Sequence, residues 1–102
     1  MREKEIEHHL VMETRKRGGM ALKFVSPSYS GMPDRLVLLP DGMMAFVEVK
    51  APGRKPRPLQ NSRHAMLHRM GFRVYVLDAV KNITAMLDEI THARDGKESD
   101  AG

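Results

Sequence analysis

Asp34, Glu48 and Lys50 are the residues whose types and spacing most readily suggest chemistry. Two carboxylates, joined by a backbone carbonyl, make a hard-oxygen site suited to magnesium or manganese. A lysine beside them cannot ligate the ion. It can hold or help deprotonate a water, or stabilise charge building on a phosphorane-like transition state. An acid and a lysine within an otherwise apolar strand cost stability unless something pairs with them, so their presence points to function.

The stretch Gly31–Lys50 positions all three. Asp34 precedes the apolar run Leu36–Leu39, and Pro40-Asp41-Gly42 is a turn. Met43–Lys50 then forms a second run in which Glu48 and Lys50 share one strand face, while Ala45, Val47 and Val49 take the other and go to the core. A hairpin brings Asp34 towards Glu48. A strict two-residue loop would set Asp34 opposite Val49 and on the wrong face. A three-residue loop, a bulge or a bend at Pro33-Asp34 corrects this, so an irregularity is expected between Asp34 and Met44.

Around this hairpin the periodicity predicts a helix over about 2–17, with Ile6 and Leu10 facing the core, acids in its first turns and basic residues in its last, stopped by Gly18-Gly19. Glu3, Ile6, Glu7 and Leu10 lie along one side of it. A short strand follows at 20–25, then a Ser/Pro/Gly-rich loop at 26–33 carrying Tyr29. The Pro-stiffened basic loop 51–58 follows Lys50 directly and is placed to grip phosphates. Pro58 opens a helix over 59–70, with Leu59, Met66, Leu67 and Met70 as its apolar stripe and Gln60 in its first turn. A strand at 72–77 and a helix at 78–92 close the pattern. The step from helix to last strand suggests a crossover that lays this strand parallel to the Glu48 strand. The expected fold is α/β, a small mixed β-sheet flanked by helices in the order α-β-β-β-α-β-α.

At 102 residues the chain fits one domain, expected over 1–94, with a polar, small-residue tail at 95–102 expected to be disordered. There is no cysteine, which excludes disulfides and thiolate chemistry and suits an intracellular home. No apolar stretch approaches a membrane span, and the charged, helical N-terminus does not read as a signal peptide. No glycine-rich phosphate loop and no Ser-His-Asp set is present. Net charge is +4, and between Val49 and Leu77 every charged residue is basic. Such a block fits either a solvated basic face or an anionic partner, of which nucleic acid is the commonest. Arg35, Arg54, Lys55, Arg57 and Arg63 are the candidate nucleic-acid contacts. His64 and His68 stand at a metal-ligand spacing, but without further ligands in register they read as surface histidines rather than a zinc site.

Pro33-Asp34 followed by Glu48-Val49-Lys50 resembles the PD-(D/E)XK nuclease signature. Gly31-Met32-Pro33-Asp34-Arg35, the block Phe46–Pro52 and Gln60 match more narrowly, and resemble the virus-type replication-repair nuclease (VRR-NUC) family over roughly residues 3–77. The resemblance implies a restriction-endonuclease-like core. It implies Asp34 and Glu48 as ligands of Mg2+ or Mn2+ with the Val49 carbonyl, Lys50 positioning the attacking water, and Gln60 orienting Lys50 or water. It also implies an acid on the first helix, best matched by Glu3, with Glu7 one turn further on. Short stand-alone members look like homodimeric resolvases of branched DNA such as Holliday junctions. Two cuts on a four-way junction need two copies related by a two-fold axis.

The expected function is therefore a metal-dependent, structure-selective DNA endonuclease, a phosphodiester hydrolase. The competing readings are a general nicking or flap nuclease, a restriction-like enzyme, a non-catalytic basic nucleic-acid-binding domain, and a structural salt-bridge cluster at Glu48 and Lys50.

Overall fold

The computed structural model describes residues 1–93. The expected domain end at residue 94 and the tail at 95–102 lie outside the described residues. The elements are α1 (Glu3–Lys16), β1 (Met20–Lys23), β2 (Arg35–Leu39), β3 (Met43–Val49), α2 (Pro58–Arg69), β4 (Val74–Leu77) and α3 (Ile83–Thr91), with short 3-10 turns at Pro40–Gly42 and Val80–Asn82. This is the α-β-β-β-α-β-α order that the periodicity predicts.

The four strands form one sheet in the order β1-β2-β3-β4. β1 with β2 and β2 with β3 are antiparallel, while β4 runs parallel to β3 after the α2 crossover. The β2–β3 connection decides the register. Leu39 pairs with Met43 across the three-residue turn Pro40-Asp41-Gly42. Asp41 and Gly42 both take positive φ, 66° and 73°, which suits an Asp-Gly pair. This turn is the expected irregularity. The ladder ends at Arg35↔Val47. One step further, Asp34 stands across from Glu48.

The core lies on one face of the sheet, under α1 and α3. Val37, Ala45, Val47, Val49 and Leu77 pack there against Ile6 and Leu10 of α1 and against Ile83, Met86, Leu87 and Ile90 of α3. Thr14 is buried in the same helix face and is satisfied by donating its hydroxyl to the Leu10 carbonyl at 2.7 Å. Arg17 ties α1 to α3 through Asp88 at 2.7 Å.

The opposite face is covered only in part. Phe46 sits edge-on between Phe24 and Phe72 at centroid distances of 5.6 and 5.8 Å. Met20, Leu22 and Val76 remain exposed.

Three details differ from the sequence expectation. α2 buries His64 and Leu67, while Leu59 and Met70 of the expected stripe are exposed, because the helix rests along a short edge strand and covers only a narrow strip of it. The last helix begins at Ile83 rather than Asp78, since Ala79 is extended (φ −155°, ψ 137°) and only a 3-10 turn intervenes. β4 begins at Val74 rather than Phe72. Among the described residues no helix is long and apolar enough to cross a membrane.

Candidate active site

The site begins with two acids that the hairpin forces together. Pro33 is fully buried and fixes the approach of the chain to Asp34. The Asp34 carbonyl accepts from the Phe24 amide at 2.9 Å, which holds the residue at the sheet's end. Its side-chain Oδ1 accepts from the Val49 amide at 3.2 Å. Glu48 is 4% exposed and projects from β3 towards α2. Gln60, in the first turn of α2, donates its Nε2 to Glu48 Oε2 at 3.1 Å, while its own Oε1 accepts from the Arg57 amide at 2.9 Å. Lys50 Nζ is 3.6 Å from the same Glu48 Oε2, and the Lys50 amide is anchored to the Leu77 carbonyl at 2.9 Å.

This leaves Glu48 Oε1 buried with no hydrogen-bond partner. A buried carboxylate oxygen without a partner costs on the order of 1–3 kcal/mol, a cost that a proton or a cation bound there would relieve. The electrostatics agree. Burial pushes the Glu48 carboxyl up to about 7, and the nearby Asp34 charge adds to this while Lys50 opposes it. Asp34 is also raised, chiefly by burial and against the Val49 amide's pull, with Glu7 and Glu3 adding repulsion. Two crowded, desolvated carboxyls with an orphaned oxygen are the donor set a divalent cation fits, because a cation relieves both penalties at once. Among the described residues, no three His, Asp or Glu side chains gather into a metal cluster, so any ion here would rest largely on these two acids, backbone and water.

The first helix offers two acids, and their placement differs. Glu7 Oε2 accepts from Arg35 Nη2 at 2.6 Å, and Arg35 Nη1 donates to the Ala21 carbonyl at 3.1 Å. Glu3 instead lines a shallow cavity of about 450 Å³ with Lys50, Ala51, Arg54, Lys55 and Arg57. Glu3 is therefore the first-helix acid that faces the loop and the lysine.

The basic candidates divide in the same way. Arg54, Lys55 and Arg57 are exposed on the loop beside Lys50. Arg35 is paired with Glu7, with 12% of its side chain accessible, and lines a hollow of about 210 Å³ with Glu7 and Asp34. Arg63 donates its Nε to the Ser30 carbonyl at 2.7 Å and lies over the Tyr29 ring.

His64 is the residue that sequence reasoning misplaced. It is buried rather than on the surface, its Nε2 has no partner, and burial followed by the charges of His68 and Lys50 lowers its pKa. The signal was present: His64 stands one turn after Gln60 and three residues before Leu67, on the side of α2 that meets the sheet.

Comparison with known proteins decides the family. The VRR-NUC domain model matches residues 5–81. The chain belongs to the VRR-NUC domain family. It is 58% identical over 79 residues to a protein of Acyrthosiphon pisum secondary endosymbiont phage 1 named "Putative nuclease p44", a match covering 78% of this chain and 85% of that one. A solved VRR-NUC domain structure superposes with a TM-score of 0.78 at 30% identity, covering 84% of this chain and 94% of the other. The VRR-NUC match spans Asp34, Glu48, Lys50 and Gln60, while Glu3 lies just before it.

Proposed function

We propose that this VRR-NUC chain is a nuclease that hydrolyses phosphodiester bonds in DNA with Mg2+ or Mn2+, and that its preferred substrate is branched. The observation that carries the reading is the Asp34–Glu48 opposition, with Glu48 Oε1 buried and unpartnered next to Lys50. Asp34, Glu48 and the Val49 carbonyl would hold the ion. When bound, such an ion supplies Lewis acidity and a more acidic water. The chain's own residues do the rest. Lys50 holds the attacking water or a phosphate oxygen through its ammonium. Gln60 fixes Glu48 in one rotamer. Glu3 borders the Lys50 side of the cleft, and Arg54, Lys55 and Arg57 grip the phosphates that flank the scissile bond.

The preference for branched DNA is supported by the exposed basic loop at Arg54, Lys55 and Arg57, which reads phosphate charge and shape. A homodimer is supported by the uncovered apolar sheet face at Met20, Leu22 and Val76, since monomers rarely leave such faces open. A soluble cytoplasmic enzyme of a bacterium or an infected cell fits this reading.

The test is cleavage of a labelled four-way junction beside linear duplex of the same sequence, with magnesium, manganese and chelator, and with Lys50→Ala as control. Symmetric paired nicks on the junction, dependent on metal and lost in the variant, support the full proposal. Equal cutting of both substrates keeps the nuclease and removes the structure selectivity. Tight binding without cutting moves the reading to a non-catalytic DNA-binding domain.

A further inference from the structure

The loop between β1 and β2 is pinned to α2 by contacts that the hairpin and the two acids do not require. Arg63 donates Nε to the Ser30 carbonyl at 2.7 Å, and its guanidinium carbon lies 3.9 Å from the centroid of the Tyr29 ring. Tyr29 Oη meets Met66 Sδ at 3.4 Å. Gly31 has φ +85°, and a Cβ there would fall 2.8 Å from Leu59 Cγ, so the loop backbone lies directly against the helix. A surface loop is thus clasped in one position, yet Tyr29 stays 43% exposed. Next to this pair, a cavity of about 360 Å³ is lined by Ser30, Gly31, Met32, Arg57, Leu59 and Gln60. Its walls are apolar at Met32 and Leu59, cationic at Arg57, and end at the glutamine that holds Glu48.

An aromatic ring backed by a guanidinium, beside a part-apolar hollow on a basic surface, fits the chemistry of a flat base joined to phosphate. A base inside duplex DNA is already stacked and cannot enter. A base at a branch, flap or mismatch can. We infer that Tyr29 and Arg63 form a stacking platform for one unpaired nucleotide, seated against the cavity next to Gln60. This rests on the reading of the chain as a DNA nuclease and gives that reading a source of structure selectivity. Arg63 lies three residues after Gln60, less than one turn along α2, so a captured nucleotide sets which phosphate reaches Asp34 and Glu48.

The experiment places 2-aminopurine as a single unpaired nucleotide at the branch point of a four-way junction and follows its fluorescence and the anisotropy of a distant dye, in chelator so that the DNA stays whole. Wild type, Tyr29→Phe and Tyr29→Ala are compared, each checked for an unchanged melting temperature. Wild type and Tyr29→Phe should quench the probe. Tyr29→Ala should not, and should bind the junction roughly 5- to 150-fold more weakly while losing less affinity for linear duplex. Equal quenching by Tyr29→Ala, or an equal loss on junction and duplex, overturns the platform. If wild type still cuts the junction with magnesium in that case, the nuclease reading stands. A wild-type chain that neither binds nor cuts DNA overturns both.

Discussion

Gln60 Nε2 donates to Glu48 Oε2 at 3.1 Å, so the first turn of α2 and the end of β3 are joined through the acid at the centre of the site. The same side chain accepts from the Arg57 amide, which makes Gln60 both a helix cap and the brace of Glu48. Gln60→Ala frees the Glu48 rotamer and is expected to lower metal affinity and cleavage by roughly 10- to 100-fold, the range for groups that orient a metal ligand. Manganese titration by calorimetry checks this, with DNA binding measured in parallel. Undiminished manganese affinity would show that Gln60 serves only the helix.

Glu48 gives the metal-free protein a pH dependence whose sign follows from its raised pKa. The unfolded carboxyl titrates near 4.5 and the folded one at about 7. Between these values the native state holds the extra proton, so stability falls as pH rises through this window, by about 3 kcal/mol in all. Asp34 is shifted the same way, and His64, lowered in the fold, opposes it below its ordinary value. Comparison with Glu48→Gln isolates the Glu48 part. The variant should gain in melting temperature relative to wild type as pH goes from 5 to 8 in chelator. A constant difference across that range would place Glu48 in an ordinary, solvated setting.

Arg54, Lys55 and Arg57 are the proposed phosphate contacts. Replacing all three with Ala should weaken DNA binding and reduce the slope of log affinity against log salt by about 2–3 units. Binding titrations at several salt concentrations read this directly, and an unchanged slope would take the loop out of the interface.

Arg35 is expected to behave in the opposite way. Its partner Glu7 lies 2.6 Å away, and the pair is mostly shielded from water. Arg35→Met leaves Glu7 without its partner and should cost about 2 kcal/mol of stability, below the 3–5 kcal/mol of fully buried pairs. The salt slope of DNA binding should stay where it is. Denaturant melts and the same salt series test both halves.

The open sheet face supplies the dimer test. Leu22→Lys or Val76→Lys places a charge on it and should shift sedimentation from two copies to one, with the fold intact by circular dichroism. Wild-type protein that already sediments as a single copy would remove the dimer from the proposal.

Much of this was legible because the strand period of two and the Pro-Asp-Gly turn bind Asp34, Glu48 and Lys50 into one geometry. The register demanded an irregularity between Asp34 and Met44, and the structure supplies it as the three-residue turn with positive φ at Asp41 and Gly42. What was not legible depends on contacts distant in sequence. Arg35 reads as a phosphate contact until α1 brings Glu7 across to it. His64 reads as a surface group because histidine is usually polar surface, whereas the narrow seat of α2 on the sheet buries it and leaves Leu59 outside. The extra turn at Val80–Asn82 is set by the extended Ala79, which no local preference announces.

The most direct test of the central claim is a paired measurement on one set of samples: DNA cleavage, and DNA binding by anisotropy, for wild type and Glu48→Gln with magnesium and with chelator. Wild type should cut only with metal, and Glu48→Gln should bind at least as tightly as wild type while cutting nothing. Metal-dependent cutting by Glu48→Gln at the wild-type rate, or loss of DNA binding in that variant, would contradict the assignment of Asp34 and Glu48 as the centre of the reaction.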